Sequence, residues 1–443
     1  MKCKIVIALF AGYILGIMIS CSPARKIAAR PNAAPAAPVE TGNIPAPAAE
    51  NKEDEFLINM FKSQPAQFDS VRANRKEWNV QVIYTQVNRT KNGIPQLKNY
   101  YFNRQGGSYF YPASSIKFPI ALLALEKLNE LKIAGLNKYS SMITEAAFSG
   151  QTPVFNDPNT ADGKPTIAQY IKKILLISDN DAYNRLYEFL GQEHINAALH
   201  KKGYPNTQLL HRLSIFLSEE ENRHTNPIKF YDSSNMLIYS IPEKINRQTY
   251  AKRNDQLGKG YLSNGVLVNK PMDFSKKNRM ELADLHQVLI SLLFPETVKA
   301  SQRFNITNED RQFVLKYMSQ LPSESVYPSY DSTYYDAYVK FLLYGSEQGK
   351  LPKNIRIFNK VGDAYGQLID VAYIVDFEKN IEFILSASIY CNQDGILNDD
   401  HYDYDNIGFP FMKNIGKLLY EYELKRKKNI QPDLSPLIFH YDK

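Results

Sequence analysis

The spacing of apolar residues changes twice along the chain. "EFLINMF" (55–61) puts its apolar side chains on one face of a short helix. By contrast, "WNVQVIYTQV" (78–87) and "QLKNYYFN" (96–103), separated by the turn "KNG" (91–93), alternate as two antiparallel strands do. From Ser114 to about Tyr344 a helical period takes over in "TIAQYIKKILLIS", "NDAYNRLYEFLG", "MELADLHQVLISLLF" and "NEDRQFVLKYMSQL". Strands return at "NIRIFNKVG", "QLIDVAYIVDF" and "IEFILSASIYC", and a helix from about Ile407 to Lys427 closes the chain. Strand-forming segments on both sides of a helical middle predict an α+β fold. One antiparallel sheet is assembled from residues 53–113 and 345–443, an all-helical part (114–344) is inserted between them, and the active site is expected at the seam.

The N-terminal stretch follows neither period. Lys2 and Lys4 precede an apolar run from Ile5 to Ile19 that stops at Ser20-Cys21-Ser22, the pattern of an export signal (1–21) and too short for a comfortable membrane span. "IMISCS" resembles a bacterial lipobox, which makes Cys21 the lipidated first residue of the mature chain; the alternative is an ordinary signal peptide with an incidental cysteine. Ser22 rather than an aspartate after the cysteine points to onward sorting to the outer membrane of a Gram-negative bacterium. Residues 22–52 are Ala/Pro-rich without a hydrophobic period and read as a semi-extended tether. The expected location is therefore the cell envelope, with a folded domain over 53–443 held to the membrane through a lipid anchor.

Bulk properties narrow the function. The 443 residues are 44% hydrophobic and 12% aromatic, a globular composition. A net charge of +7 from 53 basic and 46 acidic residues, with no basic block longer than "KRKK" (425–428), argues against nucleic acid as a partner. Of three cysteines only Cys391 lies in the folded body, so no disulfide forms within it, and Cys391 ends an apolar alternating run as a core residue would. No CxxC zinc spacing occurs, and "NDDHYDYDN" (398–406) matches no EF-hand, so neither a metal nor a cofactor is expected. His286 in "LADLHQVL" reads as a helix-packing residue.

One cation stands out. In "YPASSIKFPIALLALEKL" (111–128), Lys117 interrupts a segment that is otherwise almost wholly apolar from Ile116 to Leu125. A desolvated ammonium must be paired or shed its proton, and a neutral amine beside a serine hydroxyl is a general base beside a nucleophile. Ser114 occupies the expected helix N-cap, three residues before Lys117. No G-x-S-x-G elbow favours another serine.

Two further blocks follow in order: Ser178-Asp179-Asn180 at a helix junction and Lys360-Val361-Gly362 at the end of a strand. S-x-x-K, S-D-N and a K-[ST]-G-like triplet together resemble the serine β-lactamases of class A and the related penicillin-binding enzymes, over residues 53–443. The resemblance implies the β-lactamase/DD-peptidase-like fold and hydrolysis of a small-molecule β-lactam, or a related amide or ester, through an acyl-serine. It assigns Ser114 as nucleophile, Lys117 as its base and Ser178 as proton relay to the leaving group. Asn180 and Lys360 would bind substrate, and the N–H groups of Ser114 and Asp363, beside Gly362, would form the oxyanion hole.

The chain departs from that pattern in four places. Val361 stands where the family has Ser or Thr, and Asp370 lies near the position where class A enzymes commonly carry an arginine for the substrate carboxylate. In "HRLSIFLSEEENRHTNP", Arg212, Arg223 and Pro227 match the family's Ω-loop, but the position of its water-activating glutamate falls on or near Ser214. Glu219, Glu220 and Glu221 come later. Residues 228–279 have no counterpart in a compact β-lactamase and read as an added flap over the cleft. The alternative function is a non-catalytic or weakly active envelope lipoprotein that binds cell-wall material on the same fold.

Overall fold

The computed structural model describes residues 53–104 and 108–443; the expected signal, Cys21 and the tether lie outside the described residues. Five strands form the central sheet: β1 (Gln81–Arg89), β2 (Pro95–Phe102), β3 (Ile355–Ala364), β4 (Gln367–Asp376) and β5 (Ile381–Tyr390). Their order is β3-β4-β5-β1-β2, with every neighbouring pair antiparallel. The two distant parts of the chain join where β1 pairs with β5, Ile83 opposite Ser386.

Because both sheet faces are covered, β4 and β5 are buried along almost their whole length and read as near-continuous apolar runs. One face packs against α1 (Glu55–Lys62), α2 (Pro65–Ala73) and the closing helix (Phe409–Lys425), through Leu57, Phe61, Phe68, Met412 and Ile415. The other face presents Ile83, Val371, Tyr373 and Ile384 to the helical part. Each such side chain contributes about 1.5–3 kcal/mol when fully buried.

Four helices of the helical part position the site: α3 (Lys117–Leu131), α4 (Ile167–Ile177), α5 (Asn180–Leu190) and α6 (Gln192–Lys201). Two more, α7 (Leu282–Leu293) and α8 (Asn308–Ser319), complete its packing on the sheet. His286 on α7 ties that helix to the sheet: its Nε2 lies 2.8 Å from Thr85 Oγ1 and its Nδ1 2.7 Å from Ser386 Oγ. Burial pushes its pKa down to about 3, so it stays neutral, the packing role its helical context predicts.

The inserted part is not all helix. Ser141–Thr144, Ile228–Tyr231 and Leu237–Ile241 form a three-stranded antiparallel sheet. "SMIT" and "IKFY" are four-residue alternations, too short to stand out against the helical segments around them. Within 228–279, Gly260–Ser263 and Val266–Val268 form a hairpin whose turn, Asn264-Gly265, has positive φ at both residues (51° and 76°), as a type I′ turn requires. In this insertion Phe274 packs in T-shaped contact with Tyr111 and Tyr365.

Candidate active site

Ser114 lies inside a 3₁₀ turn, Ala113–Ile116, that feeds directly into α3. It is therefore not the helix N-cap expected from the sequence. Ser115 takes the local turn role instead, its Oγ donating to Pro112 O at 2.5 Å, while the Ser114 hydroxyl has no hydrogen-bond partner among the described residues. Ala113 holds φ +46°, a left-handed conformation that L residues seldom adopt, immediately before the candidate nucleophile.

Lys117 is completely buried at the start of α3. Its amine donates to Ser178 O and to Asn180 Oδ1 (2.7 Å), and lies 3.3 Å from Ser178 Oγ. These partners come from the α4–α5 junction. Ser178 caps α4 with φ +62°, and Asp179 caps α5 by accepting Ala182 N–H at 2.7 Å. Desolvation, reinforced by the nearby Lys360 charge, pushes Lys117 well below the usual lysine pKa. The geometry suits the neutral amine: its two N–H groups meet the two fixed acceptors, and its lone pair stays free for a hydroxyl proton.

Lys360, on β3, donates to Ser178 Oγ and to Val361 O, both at 2.8 Å. Burial brings its pKa down to about 7. Ser178 Oγ thus sits between two buried amines. β3 is the edge of the sheet and packs along the Ser114 turn. A Cβ at Gly362 would come within 2.8 Å of Pro112 O and Ser115 N and 3.0 Å of Ser114 N, so only glycine permits this approach. Asp363 follows, with its side chain exposed at the mouth of the cleft.

Ser114, Ser178, Asn180, Val361 and Asp363 line one cavity of about 430 Å³. Its opposite wall is aromatic, built from Tyr334, Tyr335, Tyr338, Phe341 and Phe409. No residue of 228–279 is among the described residues lining it, although Phe274 of the insertion meets Tyr111 and Tyr365, close in sequence to Ser114 and Asp363. The aromatic wall has no motif signature; the tyrosine repeat in "YDSTYYDAY" (330–338) is its only trace in the sequence.

Asp370 pairs with Val361 across the β3–β4 ladder, yet it points inward and is completely buried. One carboxylate oxygen accepts the N–H groups of Phe341 (3.1 Å) and Leu342 (2.9 Å), and the other accepts Asn359 Nδ2 (2.8 Å). Lys340, also buried, donates to Asn359 Oδ1 at 2.7 Å and Met318 O at 2.5 Å. Burial raises the Asp370 pKa and lowers that of Lys340, and their attraction opposes both shifts. The position that prompts comparison with a carboxylate-binding arginine therefore holds an anchor for the aromatic wall.

The Ω-loop-like segment is held by Arg212, whose guanidinium reaches Glu188 Oε1 (2.9 Å), His224 O (2.9 Å) and Glu221 O (3.2 Å). Ser214 is exposed. Glu219 pairs with Lys276 at 2.5 Å, Glu220 lies 3.3 Å from His224, and Glu221 is bound by Ser218 and Ser149. Among the described residues lining the cavity there is no glutamate.

The motifs and fold define the class, a β-lactamase-like serine hydrolase. The chain belongs to the beta-lactamase enzyme family, whose model matches residues 79–422. Solved structures that match the chain include a β-lactamase from Xanthomonas campestris pv. campestris, 12% identical, covering 81% of this chain and 98% of its own, with a TM-score of 0.45. Another, from Burkholderia phymatum, is 13% identical over 82% of this chain and 99% of its own, at a TM-score of 0.45. A third, a mutant of PBP-A in an acyl-enzyme complex with penicillin G, is 16% identical over 84% and 98%, with a TM-score of 0.44. No curated protein matches the chain.

Proposed function

We propose that the protein cleaves an amide or ester, β-lactams included, through an acyl-Ser114 intermediate. The observation that carries this reading is the convergence of two buried amines, Lys117 and Lys360, on the Ser178 hydroxyl in the cavity that also holds Ser114. Neutral Lys117 takes the Ser114 proton as Oγ attacks the acyl carbon. The backbone N–H groups of Ser114 and Asp363 receive the developing oxyanion; losing one such donor typically costs about 3 kcal/mol of transition-state stabilisation. Ser178, hydrogen-bonded to both amines, passes the proton on to the leaving nitrogen or oxygen. Asn180, its Oδ1 occupied by Lys117, has its amide Nδ2 left to donate to the substrate's acyl side.

Deacylation needs an activated water. With Glu219, Glu220 and Glu221 engaged elsewhere, we expect the acyl-enzyme to persist, behaviour nearer to a penicillin-binding enzyme than to a fast β-lactamase. Intact mass after exposure to penicillin G and to an activated ester tests the reading. One acyl adduct is expected, absent in Ser114→Ala and formed at least a hundredfold more slowly in Lys117→Ala. An adduct that survives Ser114→Ala overturns it. We also propose that Cys21 is lipidated and anchors the domain in the envelope, a reading supported by the charged, apolar and small-residue order of residues 2–22.

A further inference from the structure

We propose that the cleft selects acyl donors whose leaving side is uncharged or cationic and carries no carboxylate, with Asp363 and the wall of Tyr334, Tyr335 and Tyr338 as the specificity determinants. The inference rests on the acyl-Ser114 reading, names the substrate class of that site, and makes penicillin G, whose leaving ring carries a carboxylate, a slow acylator beside a neutral activated ester.

Four observations lead there. Val361, next to Lys360, is buried and offers no hydroxyl donor. Asp370, across the ladder from it, is fully used inward, and the nearby Lys340 amine is spent on Asn359 and Met318. The Lys360 amine gives two of its protons to Ser178 and Val361 O, and its lowered pKa leaves it only partly charged at neutral pH. Finally, the cavity lining contains two carboxylates, Asp179 and Asp363, and no arginine or lysine among the described residues. The charged side chains that line the cavity are thus both carboxylates, so an anionic group entering beside Asp363 meets like charge, offset only by the buried Lys117 and Lys360 amines behind Ser178.

The same cavity welcomes other chemistry. Asp363 has no hydrogen-bond partner among the described residues and faces the opening. Tyr334, Tyr335 and Tyr338 are only half-buried and meet one another at ring-centroid distances of 5.0 Å (Tyr334–Tyr338) and 5.9 Å (Tyr335–Tyr338). Their open ring surface accepts planar, apolar or cationic groups. A neutral or amine-bearing amide or ester therefore fits both walls, and a terminal carboxylate fits neither.

The test uses three benzoyl-dipeptide amides or acids that differ only in the terminal group: carboxylate, carboxamide or aminoethylamide. Binding is measured by calorimetry at pH 7.5 and fixed salt to Ser114→Ala protein, which cannot be acylated. The carboxamide and the amine are expected to bind at least tenfold more tightly than the carboxylate, with the gap wider at low salt. In Ser114→Ala/Asp363→Asn the gap is expected to fall below threefold, and in Ser114→Ala/Tyr338→Ala all three are expected to weaken together. Equal or tighter binding of the carboxylate, a gap that survives Asp363→Asn in a protein with an unchanged melting curve, or no binding of any member at millimolar concentration overturns the proposal. The activated esters of the same acyl groups, followed by intact mass on the unmodified protein, report separately on acylation. Charge-selective binding without a Ser114 adduct would sink the acyl-serine reading and still support the selection.

Discussion

Replacing Asp370 by asparagine removes one charge and almost no volume, and it tests whether this carboxylate anchors the cleft wall. In the native site its two oxygens accept three N–H groups, those of Phe341, Leu342 and the Asn359 side chain. The asparagine amide offers one oxygen. With that oxygen on Phe341 and Leu342, its NH₂ opposes Asn359 Nδ2; if Asn359 flips, the Asn359 NH₂ opposes the Lys340 amine. Unflipped, one buried donor is left unmatched; flipped, Val339 O also loses the Asn359 donor, so either arrangement costs at least about 1–3 kcal/mol, and Lys340 loses its counter-charge. The expected loss is about 2–4 kcal/mol, tolerable within a total of about 5–15 kcal/mol, so the variant should fold. Urea unfolding should show a lower midpoint with an unchanged slope. Because Val339 and Phe341 line the cavity, acylation of Ser114 should also slow. In Lys340→Met/Asp370→Asn the two losses should be less than additive, since the buried cation is gone. A loss under about 0.5 kcal/mol, within the range of ordinary surface substitutions, would show that Asp370 anchors nothing.

Three other predictions are independent of this one. Lys360 titrates at about 7 in the folded protein and near 10.4 when unfolded, so between these values the unfolded chain binds more protons and stability climbs with pH, by at most about 1.4 kcal/mol per unit. Lys360→Met should flatten that rise in urea unfolding curves, and a rise that persists unchanged in the variant would refute the assignment. Gly362→Ala should cut acylation at least tenfold while the fold survives, because its Cβ meets backbone atoms of the Ser114 turn; wild-type acylation rates would contradict the close approach. Cys21→Ser should release the protein from the membrane fraction, with loss of the acyl mass; continued membrane association would refute lipid anchoring.

Much of the fold was legible in the chain because its determinants are local. Alternation marked β1 and β2, strand-length apolar runs marked β4 and β5, the 3.6-residue period marked α4, α5, α7 and α8, and Ser114, Lys117, Ser178, Asn180 and Lys360 stood in recognisable short motifs. A lysine inside an apolar run signalled burial on its own, since little else explains a cation there. What the sequence could not carry was direction and distance. Asp370 reads like a residue facing the substrate because it is one ladder step from Val361, but it points inward, where two backbone N–H groups and an amide compensate its desolvation. The three glutamates after Ser214 look available until a capping box, Lys276 and the His224 ring claim them. The lowered lysine pKa values and the tyrosine wall arise from segments far apart in sequence that meet only when the sheet closes around the helical part. Local periodicity specifies which elements form; the burial, field and shape that decide the chemistry are sums over neighbours that tertiary packing alone brings together.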